Sequence, residues 1–454
     1  MVEKLNWGTV ISVPQLKYER GIIMKVSRYT LFEKYGDKIL LFNSLTGKLA
    51  FVDWEKDLYN WLNGSNSNYE ILKDYSELKT YGFIVEDCYE ENIIANLKKH
   101  DYIYENTLKL EIIPTLFCNF DCPYCYEHHN SDFMNKNIQN ALKKFISKNL
   151  LNYSAIQIFW FGGEPLLAKD FIVDFSTYVK QISQKYSKKY MISIVTNGYL
   201  LSRDIFDELY AAGVRCYQIT FDGSQIYHDK KRFLKNGSGS YETILNNLLD
   251  IRSKKGFYHF NLRCNITKEN CEDISNFLIT MNSKFADDSR FKLYFRPVGD
   301  WGGDSVKKIK NQLLDGNYDI YKALLKSNCE SLNYGLQYLW VSKFGICESN
   351  QRNYYVINPY GELLKCTKHL DNPNNKIGYI DESGNLVLYE EILAYWLCNS
   401  IKEKSDCLNC KSYANCYGVQ CPISDHINCE YSEQSAKQFL ILQYQCNNKN
   451  FIKI

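Results

Sequence analysis

The chain has 454 residues, with 54 Lys and Arg against 52 Asp and Glu. That length implies two to four domains with a sizeable core, and the balanced charge offers no bulk attraction to nucleic acid or an anionic membrane. No run of eighteen apolar residues occurs and residues 1–15 mix charges without an apolar stretch, so the expectation is a cytoplasmic protein with no spanning helix and no signal peptide. Seventeen cysteines are many for a reducing compartment. Disulfides are disfavoured there, so clustered thiols read as metal ligands. Cys88 alone precedes residue 118, whereas ten cysteines lie between residues 329 and 446.

In residues 1–105, Val26 to Phe32 reads as a strand, Tyr35-Gly36-Asp37 as a turn and Lys38 to Phe42 as a second strand. Ser44 to Gly47 is another turn, leading to Leu49-Ala50-Phe51-Val52. Trp54 to Leu62 and Tyr69 to Leu78 read as helices, and Gly82 to Val85 as a last short strand. Antiparallel strands followed by helices resemble the winged-helix precursor-recognition domains of peptide-modifying enzymes. Those domains bind a leader peptide as an added strand. The plain alternative is a cap with no ligand.

From residue 106 to 297 strands and helices alternate. The candidate strands are Leu108–Pro114, Ile156–Phe161, Met191–Val195, Val214–Phe221, Phe257–Ile266 and Phe291–Pro297. The candidate helices are Met134–Leu150, Asp170–Tyr186, Ser202–Ala212, Ser240–Lys254 and Asn270–Phe285, with Ser202 and Ser240 as N-caps. Six such repeats imply an α/β fold with a parallel sheet and outer helices.

The first strand delivers the chain to Cys118-Asn119-Phe120-Asp121-Cys122-Pro123-Tyr124-Cys125, three thiols in the spacing C-x3-C-x2-C. Zinc sites usually take thiols in pairs, whereas three thiolates from one loop suit a [4Fe-4S] cluster whose fourth iron is open. The plain alternative is three cysteines with no metal. The spacing resembles the radical S-adenosylmethionine (SAM) superfamily, in which the open iron chelates SAM. The resemblance implies an open (β/α)6 partial barrel of the TIM type, with this loop at the C-terminal edge where such barrels place chemistry. It implies that Tyr124 packs near the adenine.

Three further turns fit the family. Phe161-Gly162-Gly163-Glu164-Pro165 follows the second strand; the glycines allow a close backbone approach, and Glu164 is expected to pair with the SAM ammonium. Thr196-Asn197-Gly198 resembles a ribose-side turn, and Thr220-Phe221-Asp222-Gly223 presents Thr220 toward SAM. The plain alternative for the last two is that each polar end caps its strand. Arg263 and Arg296 end late strands, as candidates for the SAM carboxylate, for substrate or for structural ion pairs. A Gly/Asp/Lys-rich connector beginning at Trp301-Gly302-Gly303-Asp304 separates the barrel, residues 106–310, from residues 311–454.

The last part carries Cys347, then Gly361-x4-Cys366 after a Pro359-Tyr360 turn, then Cys407-x2-Cys410-x5-Cys416-x4-Cys421 and Cys429. This array resembles the SPASM domain, the auxiliary-cluster domain of many radical SAM enzymes. It departs in its last spacing, x4 in place of x3, and in an early final Cys, for which Cys446 is the other candidate. The resemblance implies one auxiliary [4Fe-4S] cluster on Cys407, Cys410, Cys416 and Cys429, and another on Cys347, Cys366 and Cys421. The second has a fourth iron that is open or held by Cys329. Zinc is the alternative for Cys407-x2-Cys410. Cys88, Cys216, Cys264, Cys271 and Cys398 read as core or incidental thiols.

The resemblance implies that SAM, reduced at the loop cluster by a donor such as flavodoxin or ferredoxin, yields a 5′-deoxyadenosyl radical that takes a hydrogen from a substrate carbon. It points to a maturase that installs a thioether or carbon–carbon cross-link in a ribosomally made precursor peptide with a leader. The alternatives are a sulfatase-type maturase forming formylglycine and a zinc-stabilised binding module without catalysis.

Overall fold

The computed structural model describes residues 23–66, 68–300, 304–314, 320, 323, 347–370, 372–398, 407, 410–417, 421–423 and 433–454. At its centre are six parallel strands, β6 (Thr107–Ile112), β7 (Ala155–Trp160), β8 (Lys189–Thr196), β9 (Cys216–Phe221), β10 (His259–Ile266) and β11 (Phe291–Pro297). They pair in chain order and β11 does not close onto β6, so the sheet is an open partial barrel. Helices α4 (Lys136–Asn149), α5 (Lys169–Lys185), α6 (Arg203–Ala212), α8 (Tyr241–Arg252) and α9 (Ile274–Phe285) stand between strands, as the sequence pattern requires. A short helix, α7 (Gln225–Lys231), absent from the sequence expectations, follows β9.

The strands alternate in burial, and the alternation positions the site. On β10, Phe260, Leu262 and Cys264 are buried in the main apolar core, while Asn261 and Arg263 are half-buried. β7 repeats the pattern, with Ile156, Ile158 and Trp160 buried and Gln157 and Phe159 half-buried. Successive side chains point to opposite faces of a strand. One face therefore packs on helices and the other lines an accessible, largely polar lumen.

Ser202 caps α6 as expected, its Oγ accepting from the Ile205 N–H at 3.4 Å. Ser240 does not cap α8. Its hydroxyl donates to Arg232 O at 2.6 Å, and Asp229 instead accepts the Ser240 and Tyr241 N–H groups at 2.8 and 2.9 Å. Both amides share the one carboxylate oxygen Asp229 Oδ1.

The sheet continues beyond residue 310. β12 (Tyr354–Ile357) pairs parallel to β6, and β13 (Glu362–Leu364), β14 (Lys376–Ile380) and β15 (Leu386–Leu388) follow antiparallel. The expected turn at Pro359–Glu362 is the β12–β13 hairpin, with Gly361 at φ +79°.

In the front part, β1 (Met24–Val26) pairs with β5 (Ile84–Glu86), while β2 (Thr30–Tyr35), β3 (Lys38–Asn43) and β4 (Lys48–Asp53) form an antiparallel sheet. The single strand expected over Val26–Phe32 is thus broken: the chain turns at residues 27–29, where the Thr30 N–H bonds back to Ser27 O. α1 (Lys56–Leu62) was expected, but Tyr69–Leu78 divides into a 3-10 turn over Tyr69–Tyr75 and α2 (Ser76–Thr80). α3 (Glu91–Ile103) completes this part. One face of the sheet covers a core of Ile39, Leu41, Val52, Leu58 and Trp61. The other face receives the helix Glu433–Asn447 through Ala436 and Leu440. Finally β16 (Ile452–Lys453) joins the edge of β4, so the two ends of the chain share one sheet.

Candidate cofactor and auxiliary thiol sites

The Cys loop leaves β6 and is clamped from two sides. The turn after β7 lies against it: the Gly163 N–H donates to Thr115 O at 3.3 Å and the Glu164 N–H to Phe117 O at 2.8 Å. A Cβ on Gly163 would stand 2.4 Å from Phe117 O, and one on Gly162, at φ +116°, 2.6 Å from Thr115 O. Both residues must be glycine, because the close approach expected toward a ligand is here an approach to the backbone of the Cys loop itself. On the other side the segment after α7 pairs with the loop, Asp121 N to Phe233 O and Lys235 N to Asn119 O, both at 3.0 Å.

Cys118 is buried, and Cys122 and Cys125 half-buried. Burial pushes the Cys118 thiol up to about 12 and the Cys122 thiol up to about 11. Cys125 is raised further, first by burial, then by Glu127 and its two fellow thiols. A buried thiolate is costly without a cation beside it. Three mutually interacting thiols on one loop are the donor set that a [4Fe-4S] cluster with an open iron takes, and the iron would supply that cation. As their side chains stand, no three His, Cys, Asp or Glu among the described residues close on one metal point. The fit is therefore in donor chemistry and loop placement.

Glu164 is fully buried. Its carboxylate accepts from Thr196 Oγ at 2.6 Å, Asn197 N at 2.7 Å and Leu166 N at 3.0 Å. Burial raises its proton affinity and these three donors oppose the rise. The SAM ammonium expected at Glu164 would join a carboxylate that already holds three protein donors. Asn197 is likewise engaged, its Nδ2 donating to Asn119 Oδ1 at 2.8 Å and its Oδ1 accepting from Tyr199 N at 3.0 Å. Thr220 is buried at the end of β9, in register with Arg263 on β10.

The Tyr124 hydroxyl turns inward. It donates to Asp222 Oδ1 at 2.8 Å and accepts from Arg232 at 3.1 Å and Asn265 Nδ2 at 3.2 Å. Sequence reasoning missed Arg232 and His129. Arg232 lies over the Phe120 ring at 5.6 Å and faces Tyr124, Cys122 and Asp222. His129 stands 3.3 Å from Cys125 Sγ, with its other ring nitrogen 3.0 Å from Leu116 O. The position of His129 four residues after Cys125 was the only available signal.

A second thiol group lies with the extension of the sheet through β12 and β13. Cys366 follows β13, its thiol pushed up to about 12 first by burial and further by Cys347 and Cys421. Cys347 and Cys421 thus lie near enough to act on Cys366. Lys368 beside them is lowered by burial and also by Arg263 and Arg296. Both arginines thus face the space between the barrel strands and these thiols. Arg263 Nε donates to Asn265 Oδ1 at 2.8 Å.

The third group, Cys407, Cys410 and Cys416, packs against the front part. Cys407 and Cys410 line a small core with Tyr29, Ala95 and Tyr413. Lys99 Nζ donates to Tyr417 O at 3.2 Å and Tyr413 OH to Asn96 Oδ1 at 3.0 Å. Cys329 and Cys429 lie outside the described residues, as do Trp301–Gly303; Cys446 falls on the helix Glu433–Asn447. A surface groove of about 430 Å³, lined by Phe133, Met134, Leu167 and Lys169, carries none of the thiols.

Residues 112–278 match the Radical SAM superfamily. The chain carries a radical SAM domain. That family implies a [4Fe-4S] cluster and SAM, and the Cys118–Cys125 loop falls inside the matched span. The Fe-coproporphyrin III synthase of Methanosarcina barkeri is 26% identical over 157 residues, covering 35% of this chain and 36% of that protein. The first two curated relatives are thus matched over only 35% and 36% of their own lengths. The cysteine-type anaerobic sulfatase-maturating enzyme of Clostridium novyi is 24% identical over 331 residues, covering 66% of this chain and 83% of that protein. The solved structure of native anSMEcpe with bound AdoMet and Cp18Cys peptide has a TM-score of 0.54 at 18% identity. It covers 74% of this chain and 97% of that one, so the fold is shared. Among the described residues, no helix is long and apolar enough to cross a membrane.

Proposed function

We propose that this chain is a radical SAM peptide maturase that installs a thioether or carbon–carbon cross-link in a ribosomally made precursor. The observation that supports the reading is Arg263, which acts both on Tyr126, beside Cys125, and on Lys368, beside Cys366. When bound, the first cluster with SAM supplies a 5′-deoxyadenosyl radical able to take hydrogen from an unactivated carbon. The chain's own residues position and enclose. The glycine turn and Glu164 hold the Cys loop against β8. Tyr124, Asp222 and Arg232 close its far side, and Arg263, Arg296 and Lys368 face a substrate entering between the two thiol groups.

In this reading Cys407, Cys410, Cys416 and Cys429 hold one auxiliary [4Fe-4S] cluster, and Cys347, Cys366 and Cys421 the other. The peptide class is supported by the sulfatase-maturating relative and by the peptide bound in the similar solved structure. The front sheet would then recognise a leader, and a small ferredoxin or flavodoxin would deliver the electron.

The test is a triple replacement of Cys118, Cys122 and Cys125 by Ala. It should abolish 5′-deoxyadenosine formation under dithionite while iron on the other thiols remains. A triple variant that still makes 5′-deoxyadenosine overturns the assignment. Formylglycine formation is the second reading, favoured by the 331-residue match to a sulfatase-maturating enzyme. Mass analysis of the treated peptide separates the two: a cross-link removes two hydrogens and keeps the sulfur, whereas oxidation of Cys to formylglycine releases it.

A further inference from the structure

Lys365, the residue before Cys366, is fully buried. Its Nζ donates to Gln351 O at 2.6 Å and to Tyr354 O at 2.8 Å. The rings of Tyr354 and Tyr355 stand 6.0 and 5.4 Å from it. An ammonium has three N–H donors, and burying it is costly unless an anion offsets the charge. Among the described residues no carboxylate serves as that anion, and the charged group that acts on Lys365 is Cys347, which favours the ammonium form.

The backbone explains the placement. Cys347 opens the 3-10 turn Glu348–Asn350, with the Asn350 N–H on Cys347 O at 2.8 Å, and Gln351 follows that turn. By holding Gln351 O, the Lys365 ammonium joins the segment that carries Cys347 to the segment that carries Cys366. Cys366 is itself prepared for negative charge: the Lys368 N–H donates to its sulfur at 3.4 Å, and its own N–H is fixed on Asn375 Oδ1 at 2.8 Å.

We infer that Lys365 is a positioning residue that sets a fixed positive charge against the cluster that Cys347, Cys366 and Cys421 would hold, and that this charge raises the reduction potential there. This rests on the reading of those thiols as auxiliary-cluster ligands. Net charge, hydrogen bonds and solvent exposure set the potential of a thiolate-bound [4Fe-4S] group. Its reduction adds one electron and changes no bond, and a nearby cation in a low-dielectric surrounding favours the added charge. Salt and water screen an exposed lysine far more than a buried one. The site is thereby biased toward taking an electron.

The experiment is a reductive titration followed by EPR, on the iron-loaded full-length chain with Ala at Cys118, Cys122 and Cys125. The signal of this site is the one lost when Cys366→Ala is added. Lys365→Gln keeps a donor for the backbone carbonyls and removes the charge. At a fixed potential it should raise the ratio of oxidised to reduced form at this site at least tenfold, about 59 mV for one electron. Lys365→Arg keeps the charge and should leave that ratio within about threefold of the parent. The signal from Cys407, Cys410 and Cys416 should move in neither variant.

A Cys366-dependent signal whose midpoint stays or rises in Lys365→Gln overturns the proposal. So does an equal fall in Lys365→Arg, because geometry and not charge then sets the potential. Loss of iron from this site in both variants also overturns it, since Lys365 is then a structural peg alone. The underlying reading fails separately: a parent with no Cys366-dependent iron signal removes the auxiliary cluster and the proposal with it, whereas a signal that Lys365→Gln does not move leaves the cluster and removes only the role of Lys365.

Discussion

The Thr196 hydroxyl donates to Glu164 at 2.6 Å, and that bond joins the turn after β7 to the turn after β8. The same carboxylate takes the Asn197 and Leu166 amides, so one buried carboxylate ties the two turns together, while the Glu164 backbone N–H holds Phe117 O of the Cys loop.

Glu164→Gln replaces one acceptor oxygen with a donor, which must then face the Asn197 N–H or the Thr196 and Leu166 donors. A hydrogen bond to a charged group contributes about 1.5–3 kcal/mol. SAM affinity, read by anaerobic titration, should therefore fall roughly tenfold to a hundredfold through displacement of the two turns. Unchanged affinity would show that the turns hold their shape without the carboxylate.

Tyr124→Phe deletes the hydroxyl shared by Asp222, Arg232 and Asn265. Leaving buried polar groups unpaired costs about 1–3 kcal/mol each. The melting temperature should drop, and the iron of the first cluster should be lost before that of the auxiliary thiols. If the variant melts and retains iron like the parent, the network does not support the loop.

Glu111 lies on the lumen face of β6, hydrogen-bonded to the Tyr354 hydroxyl, and burial raises its carboxyl from 4.5 to about 7. Between those values the folded chain holds a proton that the unfolded chain has released, so stability falls as pH rises from about 4.5 to about 7 and levels off above. Glu111→Gln keeps an acceptor for Tyr354 and removes the titration. Glu127, pushed up to about 8 by burial and then by Glu111, loses the second contribution in the variant, which adds to the same trend. The variant should melt with the parent at pH 5 and above it at pH 8; parallel curves across that range would contradict the assignment.

Deleting residues 1–105 should damage more than peptide recognition. Those residues cover the apolar face of the helix Glu433–Asn447 and pack on Cys407 and Cys410. The truncated chain should lose the iron of that group and aggregate, as expected when a large apolar surface is uncovered. A soluble truncation with full iron would show that the front part is a separable unit.

Local pattern alone determined the six barrel strands, because alternation along β7 and β10 is written within each strand. Cys118-x3-Cys122-x2-Cys125 was legible for the same reason: one loop holds all three thiols whatever surrounds it. The packing of Gly162-Gly163 on the backbone at Thr115 and Phe117 carries no sequence signal and was decided by the tertiary structure. Arg232 and His129 carry no motif; each gains its meaning from Tyr124 or Cys125 beside it. The extension of the sheet through β12, and the return of Ile452–Lys453 to β4, were decided only by the tertiary structure. A strand of two residues has no period to detect, and its partner lies about four hundred positions away in sequence. Edge pairing of that kind depends on which backbone groups the rest of the fold leaves unpaired, and that is a property of the assembled sheet.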